Sequence, residues 1–154
     1  MPKSADAVAP SGLRASVLAD DVSFLLARAN AIALAAGNAA LAEHGLKARS
    51  FSVLVLASGD ARPSQRDLAE FLRLDPSQVV SLVDDLQSRG LVERQPDPSD
   101  RRANVVVATD AGRTLAAAAR EAARVAEERV HAQLSEEERE LLTGLLRRLA
   151  FPDD

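Results

Sequence analysis

The stretch from Pro63 to Asp110 limits the possible folds of this chain more than any other. It reads PSQRDLAEFLRLDPSQVVSLVDDLQSRGLVERQPDPSDRRANVVVATD. Ser64 followed by Asp67 is a capping-box start, with Asp in place of the usual Glu. Leu68, Phe71 and Leu72 give the helix that follows a stripe to bury. Asp75 caps a second helix, and Pro76 takes its first position, where the missing N–H costs nothing. Val79, Leu82, Val83 and Leu86 mark the buried face of that helix, and Gly90 ends it. Leu91 to Gln95 reads as a strand, PDPSD as a turn, and Asn104 to Ala108 as a second, β-branched strand. Two short helices backed by a hairpin form a winged helix-turn-helix. This shape puts one helix in a DNA groove and a loop in the next, so the stretch points to a DNA-binding regulator.

Helical signals flank this unit. Residues 1–12 are rich in Ala, Pro and Ser and are expected to form a disordered tail. Leu13 to Glu43 contains no proline, and Val17, Leu18, Val22, Leu25, Leu26, Ala29, Ile32, Ala33 and Ala36 recur at steps of three and four. That rhythm predicts one long first helix, closed by Gly45. Leu46 to Arg49 reads as a connection, and Ser50 as the cap of a helix, FSVLVLAS, that stops at Gly59. Thr109 caps an Ala-rich helix over Asp110 to Gln133. Ser135 with Glu138 caps the last helix, whose stripe of Leu141, Leu142, Leu145, Leu146 and Leu149 is expected to be buried. The predicted class is mainly α with a small β wing.

Composition narrows the chemistry. A chain of 154 residues is one domain of ordinary size. With four Phe and no Trp or Tyr, its core must be built from Leu, Val and Ala. The lack of cysteine excludes disulfides, thiolate zinc sites and thiol redox sensing, and it fits a cytoplasmic location. The start, MPKSADAVAPSGL, lacks the apolar core of a signal peptide. No apolar run is expected to reach the roughly 20 residues of a membrane span. The longest, Ile32 to Ala42, is broken by Gly37 and Asn38, so no membrane partner is expected. The formal net charge of -4 runs against the basic surface usual in DNA binders, although it is a whole-chain quantity.

The chain resembles the multiple-antibiotic-resistance regulator (MarR) family of bacterial transcription factors from about Leu13 to Leu149. The resemblance is carried by LAEFLRLDPSQVVSLVDDLQSRGLVER, the DPSDRR wing and the TDAGR that opens the next helix. It implies a single domain over 13–154. Residues 13–49 and 110–150 would be dimerisation helices, and 50–109 a winged helix-turn-helix lobe. It also implies a homodimer on a pseudo-palindromic double-stranded DNA site and, in many members, a pocket for a small organic effector.

The recognition helix offers Ser77, Gln78 and Ser81 to base edges. Gln pairs bidentately with adenine, and Ser donates or accepts. Ser77 and Ser81 also read as a helix-start residue and a solvated one. Gln65, near a helix N-terminus, can bond a phosphate or simply be solvated. In the wing, the resemblance has Arg102 entering a minor groove and Asp100 orienting it, in keeping with the negative potential of narrow grooves. Arg101 is a candidate phosphate contact, and Arg94 a residue of the wing base. A solvated charged turn explains the same residues. The chain departs from the family where a basic residue is common in the recognition helix, since Ser81 and Asp85 stand there. From Ser64 to Arg89 three arginines face five carboxylates. Arg28, Asn30, Asn38 and His44 interrupt the apolar first helix, either lining an effector pocket or lying on the surface. His44 and His131 are too isolated for a metal site, and no cofactor is expected.

Two other classes compete with this reading. An enzyme would need a nucleophile motif, a Gly-rich phosphate loop or a metal signature, and none stands out. A winged helix kept as a protein-interaction module, with DNA binding lost, would explain Asp84 and Asp85.

Overall fold

The computed structural model describes residues 12–100 and 102–152. Two 3-10 turns, Leu13–Ala15 and Val17–Asp20, lead into α1, Val22–Leu41. A further turn, Ala42–His44, precedes α2, Ala48–Ala57. Then follow α3 (Gln65–Leu72), α4 (Pro76–Ser88), β1 (Val92–Pro96), β2 (Asn104–Ala108), α5 (Asp110–Val130) and α6 (Glu136–Ala150). The strands pair antiparallel, with Arg94 opposite Val106. The class is mainly α with a two-stranded wing.

The first helix is shorter than its apolar rhythm predicts. Ser16 is extended and its hydroxyl donates to the Leu13 carbonyl at 2.8 Å, which breaks the run. Asp21 then caps α1, its carboxylate accepting the Phe24 N–H at 2.7 Å. The second helix starts before Ser50, whose hydroxyl accepts the Lys47 N–H from inside the first turn at 2.9 Å. The residue that meets the helix start from outside is Asn38, whose Oδ1 accepts the Ala48 N–H at 2.8 Å. The other caps lie where the sequence puts them, at Ser64, Asp75, Thr109 and Ser135.

The core sits in the winged lobe. Val53, Leu54, Leu68, Val79, Val83, Leu86 and Val106 are wholly buried, and Ala116 and Ala119 of α5 close over them. Gly112 permits that closure. A Cβ there would lie 1.9 Å from the Leu91 carbonyl oxygen, so the first turn of α5 can seat on the end of α4 only without a side chain. Thr109 completes the joint, donating from Oγ1 to the Gly90 carbonyl at 2.7 Å.

Outside the lobe the apolar stripes are not covered. α1 runs along α5, while α6 buries no residue. Its leucines, expected to be buried with the help of a dimer, are exposed in the single chain, Leu141 at 64% and Leu149 at 67%, because among the described residues no other element packs over these two. Val17 is 89% exposed. Phe71, expected in the stripe of α3, is 57% exposed and stacks on Phe151 with ring centroids 5.8 Å apart. The apolar run is also longer than the sequence reading allowed. Val22–His44 is long and apolar enough to cross a membrane by length and composition, despite Gly37 and Asn38. Here it lies against α5.

Candidate nucleic-acid interface

The wholly buried Val79, Val83 and Leu86 fix which face of α4 turns inward. The opposite face carries Ser77, Gln78 and Ser81, all exposed at its N-terminal end. Asp75 organises that end, its Oδ1 accepting from the Ser77 N–H at 2.8 Å and from the Ser77 hydroxyl at 2.5 Å. These bonds hold the Asp75 carboxyl below its usual range. The Gln78 side-chain oxygen accepts the Asp75 N–H at 3.4 Å, and its NH2 makes no hydrogen bond among the described residues. Ser81 donates back to the Ser77 carbonyl at 3.1 Å.

Arg94 and Gln65 point inward instead. The Arg94 guanidinium reaches from β1 across both helices of the motif. It donates to Gln65 Oε1 at 3.0 and 2.7 Å, to Gln87 Oε1 at 2.8 Å and to Asp84 Oδ1 at 2.6 Å. One charged fork thus fixes α3, α4 and the wing to one another, and it neutralises one of the two neighbouring acids of α4. The second, Asp85, is held by Arg89 at 3.3 Å.

At the wing, Asp100 Oδ1 accepts the Arg102 backbone N–H at 3.0 Å rather than its guanidinium. Arg102 is exposed, and its guanidinium has no hydrogen bond or ion pair among the described residues. Arg101 lies outside the described residues. Asp97 closes the turn through the Ser99 hydroxyl and N–H, both at 2.7 Å, and these bonds lower its carboxyl's proton affinity. The sequence reading missed Arg62, in the left-handed region at φ 47°, which donates to Gln95 Oε1 at 2.7 Å. Nothing in the local sequence marks a residue 33 positions away as its partner.

Of the four candidate effector residues, Asn30 and Asn38 line clefts and Arg28 and His44 line none of those described. One cleft of about 590 Å3 lies between α1, α5 and α6, with Asn30, His131, Arg124 and Leu142 in its wall. Arg124 is held there by Glu121 and Glu128. A second, of about 540 Å3, lies where α1, α2 and α4 meet, with Asn38 in its wall.

A helix with a buried apolar side and a polar N-terminal face, set beside an arginine-bearing hairpin, defines a winged helix-turn-helix protein of the DNA-reading class. Comparison with known proteins agrees. A model of the MarR family matches residues 44–103. A MarR-family transcriptional regulator from a Rhodococcus species superimposes with a TM-score of 0.82 at 40% identity, covering 89% of this chain and 98% of that one. CouR from Rhodococcus jostii, solved bound to p-coumaroyl-CoA, superimposes with a TM-score of 0.80 at 41% identity, covering 90% and 98%. The transcriptional repressor NicR of Pseudomonas putida is 33% identical over 103 residues, which is 66% of this chain and 65% of that protein. The chain spans 62% to 65% of the length of the curated relatives it matches. It belongs to the MarR family of transcriptional regulators.

Proposed function

We propose that this chain is a homodimeric, effector-responsive DNA-binding regulator in the cytoplasm, acting as a repressor. The observation that carries the reading is the polarity of α4, with valines and a leucine sealed inside and Ser77, Gln78 and Ser81 outside. Gln78 reads adenine through its free amide, and the serines accept or donate at neighbouring bases. Arg102 enters a minor groove, with Asp100 shaping its turn and Arg101 on a phosphate. Gln65 offers its NH2 to a phosphate while its oxygen stays with Arg94, so Arg94 serves DNA by holding the helices in place.

The exposed leucines of α6 and the apolar residues before and along α1 support the dimer, since a lone soluble chain rarely leaves so large an apolar surface bare. Two copies would set their α4 helices about one DNA turn apart. Repression follows the naming of NicR, and the bound ligand of CouR favours an aromatic acid or its CoA thioester as effector. Asp84 and Asp85, which favoured a protein-interaction module, are both paired with arginines and so weigh less against DNA.

In vitro selection from random duplexes, with light scattering on the free chain, tests the reading. A two-fold symmetric site and a mass of two chains are expected. A monomer that enriches no sequence overturns it.

A further inference from the structure

The wing is fastened on both faces of β1. Side chains alternate along a strand, so Arg94 turns towards α3 and α4 while Glu93 and Gln95 face the other way. On that outer face Arg62 Nη2 donates to Gln95 Oε1 at 2.7 Å, and Gln95 Nε2 donates to the Glu93 carboxylate. The backbone beside Arg62 belongs to the same sheet. The Pro63 carbonyl accepts the Val106 N–H at 2.8 Å, and Ser64 bridges to Val105, which pairs with Gln95 on its other side. Val105 is buried there, although it stands outside the core of the lobe. Arg62 thus reaches past β2 to β1 from the segment that leads into α3. It does so from the left-handed region at φ 47°, which costs a side chain and costs glycine nothing. Ser99 chiefly holds the Asp97 carboxyl below its usual range, and the Arg62 charge lowers it further, so the guanidinium is felt as far as the wing turn.

We propose that Arg62 is a positioning residue for the wing: its guanidinium straps the outer face of β1 and so aims the hairpin that carries Arg102 at the groove. The proposal rests on the DNA-binding reading and adds a residue that acts through the wing without touching DNA. Arg94 alone would hold β1 from one face only, and the hairpin could roll outward. A second guanidinium on the opposite face removes that freedom. Backbone outliers persist where the surrounding structure fixes them, and they cluster at working sites. Glycine would fit φ 47° without cost but would supply no guanidinium, so the strain goes with the task of the side chain. A hairpin already held in place loses less freedom when it binds.

Arg62→Gly relieves the backbone and removes the bond to Gln95. The two effects offset, so the variant of the full chain should melt within about 2 °C of wild type. Its affinity for selected DNA should nonetheless fall about fivefold. Gln95→Ala, which keeps Arg62, should fall by the same factor. In an Arg102→Ala background neither change should cost more than about 1.5-fold, because a wing without its arginine gains nothing from being aimed. Amide exchange on the free protein gives a readout that needs no DNA. The Asp97 and Ala103 N–H groups bond across the wing turn, to the Ala103 and Asp100 carbonyls at 2.9 Å each, and both should exchange about tenfold faster in either variant. Undiminished DNA affinity in Arg62→Gly overturns the proposal. An equal loss in the Arg102→Ala background makes Arg62 a DNA contact in its own right and overturns the strap. So does unchanged exchange of the two amides. Failure of the wild type to bind any DNA overturns the regulator reading instead, and the exchange rates then decide the strap alone.

Discussion

Arg94 and Asp84 meet at 2.6 Å, joining the first wing strand to the middle of the recognition helix. The pair sets the tilt of α4 against the wing, because Gln65 and Gln87 complete the same fork. Arg94→Ala should lower stability by about 1 kcal/mol, a modest figure because Asp84 is largely exposed and screened. In thermal melts that is a fall of about 3 °C for a chain of this size. A double-mutant cycle with Asp84→Ala should show coupling of about 0.5 kcal/mol. Additive single mutants would mean the contact fixes nothing.

Gly112→Ala should be far more damaging than its size suggests. The added methyl would overlap the Leu91 carbonyl, which is backbone and cannot swing aside. A loss of about 3 kcal/mol in denaturant unfolding is expected. Gly144→Ala, where a Cβ meets nothing, is the control and should leave stability unchanged or raised.

Arg73 ends α3 in the left-handed region at φ 55°, a conformation that costs a side chain. Arg73→Gly should therefore stabilise the chain by about 1 kcal/mol. A lower melting temperature in the variant would show that the arginine's other contacts outweigh the backbone strain.

Acid should loosen the motif at two helix starts and at the wing turn. Asp67, Asp75 and Asp97 each have a lowered pKa through bonds from Ser64, Ser77 and Ser99. A carboxyl whose folded pKa is depressed contributes its stability above the unfolded value of 3.8, and loses it as pH falls through the lower folded value. Helical signal should thus hold from neutrality to about pH 4 and fall below it. Ser64→Ala and Ser77→Ala should flatten that fall. A loss of structure between pH 7 and 5 would contradict this account.

On selected DNA, Gln78→Ala should cost about 1–3 kcal/mol and relax the sequence preference at one position per half-site. Arg102→Ala should weaken binding and lower the salt slope by about 1 for each wing, if it contacts a phosphate or groove as proposed. With α4 carrying paired acids, the wild-type slope should itself be shallow. A slope matching eight or more phosphates per dimer would show a basic surface that this reading lacks.

The caps at Ser64, Asp75, Thr109 and Ser135 were legible in the sequence because each is a bond between residues two or three positions apart. The α4 stripe was legible for the same reason. The start of α1 was not, since the Ser16 and Asp21 side chains compete with helix over a stretch whose apolar rhythm continues unbroken. The leucine stripe of α6 encodes a need for cover without saying which chain supplies it, and the single chain leaves it exposed. The Arg94 fork, the Arg62 contact and the Asn38 cap on α2 join residues 7 to 33 positions apart, so only the fold brings them together. The candidate site was thus legible in its outward face and hidden in its supports.

A helix of 15 residues that buries none of them has little reason to stay wound in water. In the homodimer proposed above, α6 takes its cover from the second copy, so the last act of folding and the first act of assembly coincide. A newly made chain would then be a competent head on an unfinished body. The number of copies in the cell would decide how many finished regulators exist.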